Sequence, residues 1–535
     1  MGSARSFALF SSVALAVVGC GTSTSSPSGE LRVETPVMVP ERHAAQAAEE
    51  PAPEPPPDPE AEARAKAESE EAAFNAAYPL HGVVYHFLAQ VFAQPTDHAR
   101  VVGYVRRGAQ FRAKERVSGP GCAGGWHEVP GNGFVCAGNG YQIGATPQTF
   151  EPSPAPPSLN SALPYAYART VRDDVPQYWS LPTREEEVAA EALVQRMSQD
   201  AERAAARAAA LAATVTAPTA TTPAVSADEL ASADDVVAPP PPGQTADVGS
   251  EAATSTNNEL PDFFRMRMLR GFYVSLDHAE TDDRGHEYYR TVRGGFVEAS
   301  ELTEATPPAM RGVVLGGGWH LPVAFVFRGG AHRFHMNHTT DTVVDDGVIE
   351  RQTPLVIADD SVVRRNREYV LSDDGILVRE PAVRLINPIH RPPGVPSTAK
   401  WVHVSLAQQS LVAYEGDTPV FVTLVSTGKE GHETPTGLFQ IQSKHVSTTM
   451  DDEMSPDGAY SIEDVPWTMY FQGNFALHGA FWHSAFGTVH SHGCVNIAPA
   501  DARWLFQWTT PGLPAAWHGV FADRRNQGTW VFISE

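Results

Sequence analysis

The chain has 535 residues, which at ordinary domain size allows three or four domains. Its 44 prolines and 43 glycines exceed average usage, and the prolines cluster around Pro51 to Pro59, Pro152 to Pro157 and Pro239 to Pro242, so much of the length is spacer. A formal net charge of −24 argues against a nucleic-acid binder that must neutralise phosphates. Residues 21–75 carry twelve acids against four bases, so a third of that charge belongs to a solvated tail rather than an acidic site.

Near the amino terminus, Phe7 to Val18 form a short apolar run behind Arg5. Twelve residues are too few to cross a hydrocarbon layer of about 30 Å as a helix. The run ends in small residues, as secretory signals do. Val17-Val18-Gly19-Cys20 resembles the lipobox of bacterial lipoproteins, in which the signal is cut before the cysteine. The resemblance implies that residues 1–19 are a signal peptide and that Cys20 carries the acyl chains, anchoring the protein to a membrane of the cell envelope. Gly21 in place of an aspartate favours the outer membrane, with the protein facing the periplasm. An ordinary signal with an incidental cysteine is the alternative.

Residues 20–75 are expected to be a disordered acidic tether rich in Pro, Ala and Glu. From 78 to 150 the pattern changes to short β-prone runs, such as Val83-Val84-Tyr85 and Val101-Val102-Gly103-Tyr104-Val105, broken by Gly, Pro and Asn. A small β-barrel resembling bacterial SH3-type modules is expected there. Cys122 and Cys136 lie in this exported segment and pair naturally as a disulfide, which in the chain-entropy model stabilises by about 3 kcal/mol. The stretch 151–256 reads as linker around one Ala-rich helix over 184–213, opened by a capping box of Thr183 and Glu186. Residues 257–398 read as a second β-rich module, partly SH3-like. Its Tyr289-Arg290-Thr291-Val292 and Gly295-Phe296-Val297 echo Trp126-His127-Glu128-Val129 and Gly133-Phe134-Val135. Asp373-Asp374-Gly375 is a hairpin signal. His332, His335 and His338 fall on a strand or loop that would not converge them on a metal.

Residues 400–535 carry the chemistry. Strands are expected at Val402 to Leu406, at Leu411 to Tyr414, and after Thr434-Pro435-Thr436-Gly437. Leu477-His478-Gly479 is followed by Ser491-His492-Gly493-Cys494-Val495-Asn496, with Cys494 sixteen residues beyond His478. A free thiol is only a few per cent ionised at neutral pH, and a neighbouring imidazole that takes its proton makes it a nucleophile. Backbone amides beside a nucleophile are the usual oxyanion donors. Two histidines, two glycines and a cysteine are therefore the parts of a thiol acyl-transfer site. Zinc held by His478, His492 and Cys494 is the chemical competitor, but no carboxylate is evident to support those ligands, and neither metal nor cofactor is expected.

HG followed by SHGC, with TPTG upstream and the run Asp464 to Phe471 between, resembles the L,D-transpeptidase catalytic domain of the YkuD type. The resemblance covers roughly the last quarter of the chain. It implies a mainly β fold, a β-sandwich with a mixed sheet, behind the SH3-like modules, the helical spacer and disordered linkers. It also implies that Cys494 attacks the amide between the L-centre of a diaminopimelate residue and the terminal D-alanine of a tetrapeptide stem. D-Alanine leaves, and the amine of a second stem resolves the thioester into a 3→3 cross-link. By position, His478 matches the proton acceptor and donor, oriented by the Gly479 carbonyl. His492 and Gly493 match the oxyanion region, and Ser491, Asn496 and Tyr470 match the substrate pocket. Many members carry Arg where this chain has Asn496, which puts substrate recognition in question. His483 and His490, in a lid-like loop, match nothing catalytic and are expected to face solvent. The partners implied are peptidoglycan stem peptides and, through the lipid, a membrane; nucleic acid is not among them. The same acyl-enzyme could serve peptidoglycan hydrolysis or attachment of a protein to the wall, and a non-catalytic wall-binding anchor is the reading from another class.

Overall fold

The computed structural model describes residues 59–215, 260–452 and 459–535. Cys20, the signal, most of the tether and the linker beyond residue 215 lie outside the described residues. Among the described residues, no helix is long and apolar enough to cross a membrane.

The architecture is mainly β with a few helices. One helix, Pro59–Ala77, falls in the stretch expected as a featureless tether. Its Ala- and Glu-rich sequence favours helix without any apolar face, and Pro59 is tolerated in the first turn. The spacer helix Arg184–Val215 forms where the capping box placed it. The Thr183 amide donates to the Glu186 carboxylate at 2.8 Å, and the Glu186 amide donates to the Thr183 hydroxyl at 3.3 Å.

Residues 80–144 form short strands. Leu80–Val84 pairs with Gln110–Ala113 and Tyr141–Gly144, while Leu88–Phe92 pairs with Val101–Arg106 and meets Gly133–Cys136. The Cys122–Cys136 disulfide is present. These strands are not a separate bead. Val101–Arg106 also pairs with Gly519–Phe521 near the carboxyl end, with Gly103 opposite Val520 and Tyr104 opposite Gly519. A Cβ on Gly103 would meet the Gly519 carbonyl at 2.4 Å, so this junction requires glycine.

The stretch expected as linker after residue 150 contains two strands. Ala166–Thr170 pairs with Tyr273–Thr281 and Leu302–Glu304, and Val175–Tyr178 pairs with Phe264–Met268. The second β-rich region therefore begins before the spacer helix. Polar, aromatic-rich strands such as Ala166–Thr170 lack the aliphatic alternation that marks a strand in sequence. The two echoing motifs both form hairpins, but Thr291, not Val292, sits opposite Gly295. Strands from Val323–Val326 to Val383–Ile386 form their own seven-stranded sheet. It includes the hairpin of Arg367–Ser372 with Leu377–Arg379 around Gly375, at φ 85°. On it His332 meets Asp345 and His335 meets Asp346, on separate partners.

In the carboxy-terminal region, Lys400–Ser405 pairs antiparallel with Ser410–Glu415 and parallel with Trp530–Ser534, and Gly437–Gln440 extends that sheet. A second run joins Gly519–Phe521, Ser443–Asp452, Tyr460–Gln472, Phe475–Gly479 and Val495–Ile497. Val402, Leu411, Val425, Trp467, Phe471, Leu477 and Ile497 from both runs share one core with Leu505 and Phe506 of the helix Pro499–Trp508. The Lys444 ammonium donates to the carbonyls of Phe506 and Thr509, capping that helix from the sheet.

Where the three β regions meet, Arg106 and Asp464 form a buried two-pronged ion pair at 2.6 and 3.1 Å. Ser275 and Ser447 each donate to the same carboxylate, at 2.6 and 2.9 Å. Burial alone would raise the Asp464 pKa; Arg106 and these donors hold it well below the usual carboxylate range. Burial also pushes His445 and His518, at the same junction, down to about 3, so both stay neutral. The unfolded chain binds protons that the folded chain refuses: on the histidines below about pH 6.5, and on Asp464 below about pH 4. The junction's contribution is therefore complete above about pH 6.5 and falls as the pH drops. Asp464→Asn should cost about 3–5 kcal/mol at pH 7, measured by urea unfolding, and should shrink the further loss below about pH 4.

Candidate active site

The carboxy-terminal strands set the site. Phe475–Gly479 runs parallel to Val495–Ile497, with His478 opposite Asn496 and Gly479 opposite Ile497. Cys494 lies just before the second strand. Parallel neighbours share a face, so His478 and Asn496 lie side by side, and Cys494 precedes that strand by one residue.

The turn that delivers the cysteine is held on all sides. Gly493 has φ 113°, and a Cβ there would meet the Phe475 ring at 2.6 Å, so the SHGC glycine is a steric requirement. Thr434, from the TPTG run, donates its hydroxyl to the Gly493 carbonyl at 2.7 Å and accepts the Gly428 amide at 2.9 Å. Ser491 donates to the Cys494 carbonyl and accepts the Gly493 amide at 3.1 Å. The Gly493 amide therefore points at Ser491 rather than into the cleft, which leaves it occupied where an oxyanion donor was expected.

Cys494 is the free cysteine among the described residues and is partly exposed. Its thiol approaches the Asn474 carbonyl at 3.5 Å. Burial of the sulfur pushes the thiol up to about 11, against the partial relief of the Ala476 amide. His478 is buried, and burial pushes it down to about 4. Its Nδ1 lies 3.3 Å from the Gly479 carbonyl, so Nδ1 carries the proton and Nε2 keeps a free lone pair. The ring stacks on Trp482 at 5.7 Å. Tyr470 sits opposite Ala476; burial, then the nearby Cys494 charge, pushes its hydroxyl up to about 12. His492 is exposed, stacked on Tyr460 at 5.3 Å and edge-on to His432 at 4.7 Å.

Asn496 is buried, and its amide meets His483 Nε2 at 2.8 Å. His483 Nδ1 accepts the Ala485 amide at 3.1 Å, so Nε2 bears the ring proton and the Asn496 amide oxygen is its partner. His483 is thus half-buried and bonded rather than turned to solvent, correcting the sequence expectation; His490, 4.4 Å from it ring to ring, is exposed. No periodicity marks His483, because its contact forms only when the 480–490 loop folds back over the strands. That loop is clasped from the seven-stranded sheet. Arg351 donates to the carbonyls of Ser484 and Phe486 at 2.7 and 3.1 Å, and Arg384 donates to that of Gly487 at 2.9 Å.

Burial leaves the Cys494 thiol and the His478 imidazole both neutral, rather than a preformed ion pair. Alkylation of Cys494 by iodoacetamide should therefore rise about tenfold per pH unit from pH 7 to 10. A rate already flat above pH 6 would indicate a thiolate–imidazolium pair instead.

Residues 399–533 match the YkuD family, the L,D-transpeptidase catalytic domain. L,D-transpeptidase 1 of Mycobacterium tuberculosis is 31% identical over 96 residues, covering 17% of this chain and 38% of that protein. L,D-transpeptidase 2 of the same species is 30% identical over 95 residues, covering 16% of this chain and 23% of its own length. The chain thus spans less than half the length of these relatives. The solved structure of L,D-transpeptidase 3 from M. tuberculosis aligns at 17% identity and a TM-score of 0.22, over 32% of this chain and 78% of that one. Residues 399–533, with the strand-borne histidine and the SHGC turn just described, are thus a catalytic domain of the YkuD L,D-transpeptidase type, and the rest of the chain lies outside that match.

Proposed function

We propose that this protein is a peptidoglycan L,D-transpeptidase that forms 3→3 cross-links through a Cys494 thioester, held at the cell envelope through a lipid on Cys20. The observation that supports the reading is a neutral Cys494 thiol one residue ahead of a strand that runs parallel to the strand bearing His478, whose Nε2 is unprotonated. The lipobox-like run ending at Cys20 supports the anchor.

In this reading a donor tetrapeptide lies across the cleft with its penultimate carbonyl over Cys494. The low pKa of His478 keeps it unprotonated at rest, available to take the thiol proton as sulfur attacks. The negative charge that develops on the carbonyl oxygen is met by the Tyr470 hydroxyl, which stays protonated at physiological pH. His478 then returns its proton to the departing D-alanine amine, and the acyl group remains on sulfur. The acceptor stem's amine attacks the thioester, passes its proton to His478, and the thiol is restored. Asn496, oriented by His483, holds the donor peptide as a neutral hydrogen-bonding group, where an arginine would read a charge.

Incubating the full chain with a tetrapeptide donor should give a mass increase equal to the donor less D-alanine, absent in Cys494→Ser. Muropeptide analysis should then show 3→3 dimers; shortened stems alone would mean that water is the acceptor, and no adduct on the wild type would favour a binding anchor. His478→Gln should slow acylation by about 10²–10⁴-fold. His483→Ala should slow it by about tenfold with the unfolding midpoint nearly unchanged, because a freed Asn496 amide loses one hydrogen bond's worth of orientation.

A further inference from the structure

A cavity of about 300 Å³ opens where the seven-stranded sheet meets the carboxy-terminal region, lined by Phe327, Arg328, Glu380, Arg384, Asn387 and Gln408 among others. That volume lies at the lower end for small-ligand sites. Two guanidinium groups converge on one ring here: Arg384 stands 4.0 Å and Arg328 5.5 Å from the centre of Phe327. Among the described residues neither has a carboxylate at ion-pair distance, although Glu380 lines the same cavity. The Arg384 guanidinium is held below its ordinary pKa, first by burial and then by the charge of Arg328. Two uncompensated cations in a chain with a net charge of −24 are an arrangement that an anion would relieve.

We propose that Arg328 and Arg384 form a subsite for the carboxylate of a peptide, coupled through Gly487 to the loop that carries His483. The Arg384 Nε is committed to the Gly487 carbonyl at 2.9 Å, which leaves its two Nη groups to meet a carboxylate. Asn387 and Gln408 offer neutral amides that suit peptide N–H and C=O groups. Glu380 discriminates between anions: a dianionic phosphate beside it is repelled more strongly than a monoanionic carboxylate, whose neighbouring peptide N–H groups can also donate to it. The peptide class is that of the proposed stem substrates and so rests on that reading, but the subsite lies away from Cys494 and is tested without its chemistry. Peptide held by Arg384 fixes the guanidinium that clasps Gly487, three residues from His490 and four from His483, so occupancy steadies the loop beside Asn496.

The test is calorimetric titration of the full-length Cys494→Ser chain with N-acetyl-alanyl-alanine, its carboxy-terminal amide and inorganic phosphate. The free-acid peptide should bind, the amide at least tenfold more weakly, and phosphate more weakly than the acid. Arg328→Gln, whose side chain makes no hydrogen bond in the described structure, should bind the acid at least tenfold more weakly with its unfolding midpoint unchanged. Hydrogen exchange of the amides of residues 484–490 should slow when the peptide is bound. The proposal is overturned if the acid fails to bind at millimolar concentration, if acid and amide bind alike, if phosphate binds more tightly, if Arg328→Gln binds as the parent does, or if exchange in 484–490 does not change. Acylation by the Cys494 enzyme is a separate readout, so failure here leaves the proposed transpeptidation standing, and the reverse also holds.

Discussion

Arg106 and Asp464 are far apart in the chain and meet in the interior, where either charge alone would be poorly solvated. Removing either partner would leave a bare charge in a medium that solvates it poorly, so the contact constrains everything around it. Asp464 also accepts Ser275 and Ser447, so one carboxylate ties the amino-terminal strands, the second β region and the long catalytic hairpin. Tyr104 extends the junction by bonding to His445 at 2.5 Å, and the His445 ring lies edge-on to Tyr470 at 5.5 Å. Tyr470 in turn flanks the sulfur. The upstream strands are thus part of the wall behind the reactive cysteine, not merely a spacer in front of it.

Burial sets the resting chemistry of the site. The same exclusion of water that raises the thiol lowers the imidazole, and the two shifts together keep both groups uncharged. In the proposed reaction such a pair becomes reactive only once a bound substrate supplies its own dipoles. Activation then depends on geometry, which explains the number of bonds spent on fixing the turn before Cys494 and the ring of His478. The Thr434 and Ser491 hydroxyls do this by bonding to backbone carbonyls and amides, and the Thr427 carbonyl accepts the amides of His490 and Ser491.

The seven-stranded sheet has a comparable role on the other side. Arg351 and Arg384 grip three carbonyls of the 480–490 loop, and that loop supplies Trp482 to the catalytic ring and His483 to Asn496. A loop that carries so many contacts from a neighbouring sheet is not a free lid; its position depends on a region that sequence alone would treat as an accessory module.

The sequence by itself determined the local frame of the candidate site. SHGC, HG and TPTG are local motifs, enough to mark the turn at Gly493 and the strand-borne His478 and to single out Cys494 as the proposed nucleophile. The Thr183–Glu186 cap and the Cys122–Cys136 pair were equally legible, because both rest on contacts close in the chain. The tertiary structure alone decided the rest. The strands before the spacer helix pair with partners about a hundred residues away, the Arg106–Asp464 pair spans more than three hundred, and His483 reaches Asn496 only after the loop folds back. Local pattern encodes the conformation of a few consecutive residues, whereas a buried charge pair or a cross-strand partner exists only once distant segments have been brought together and water has been excluded from between them.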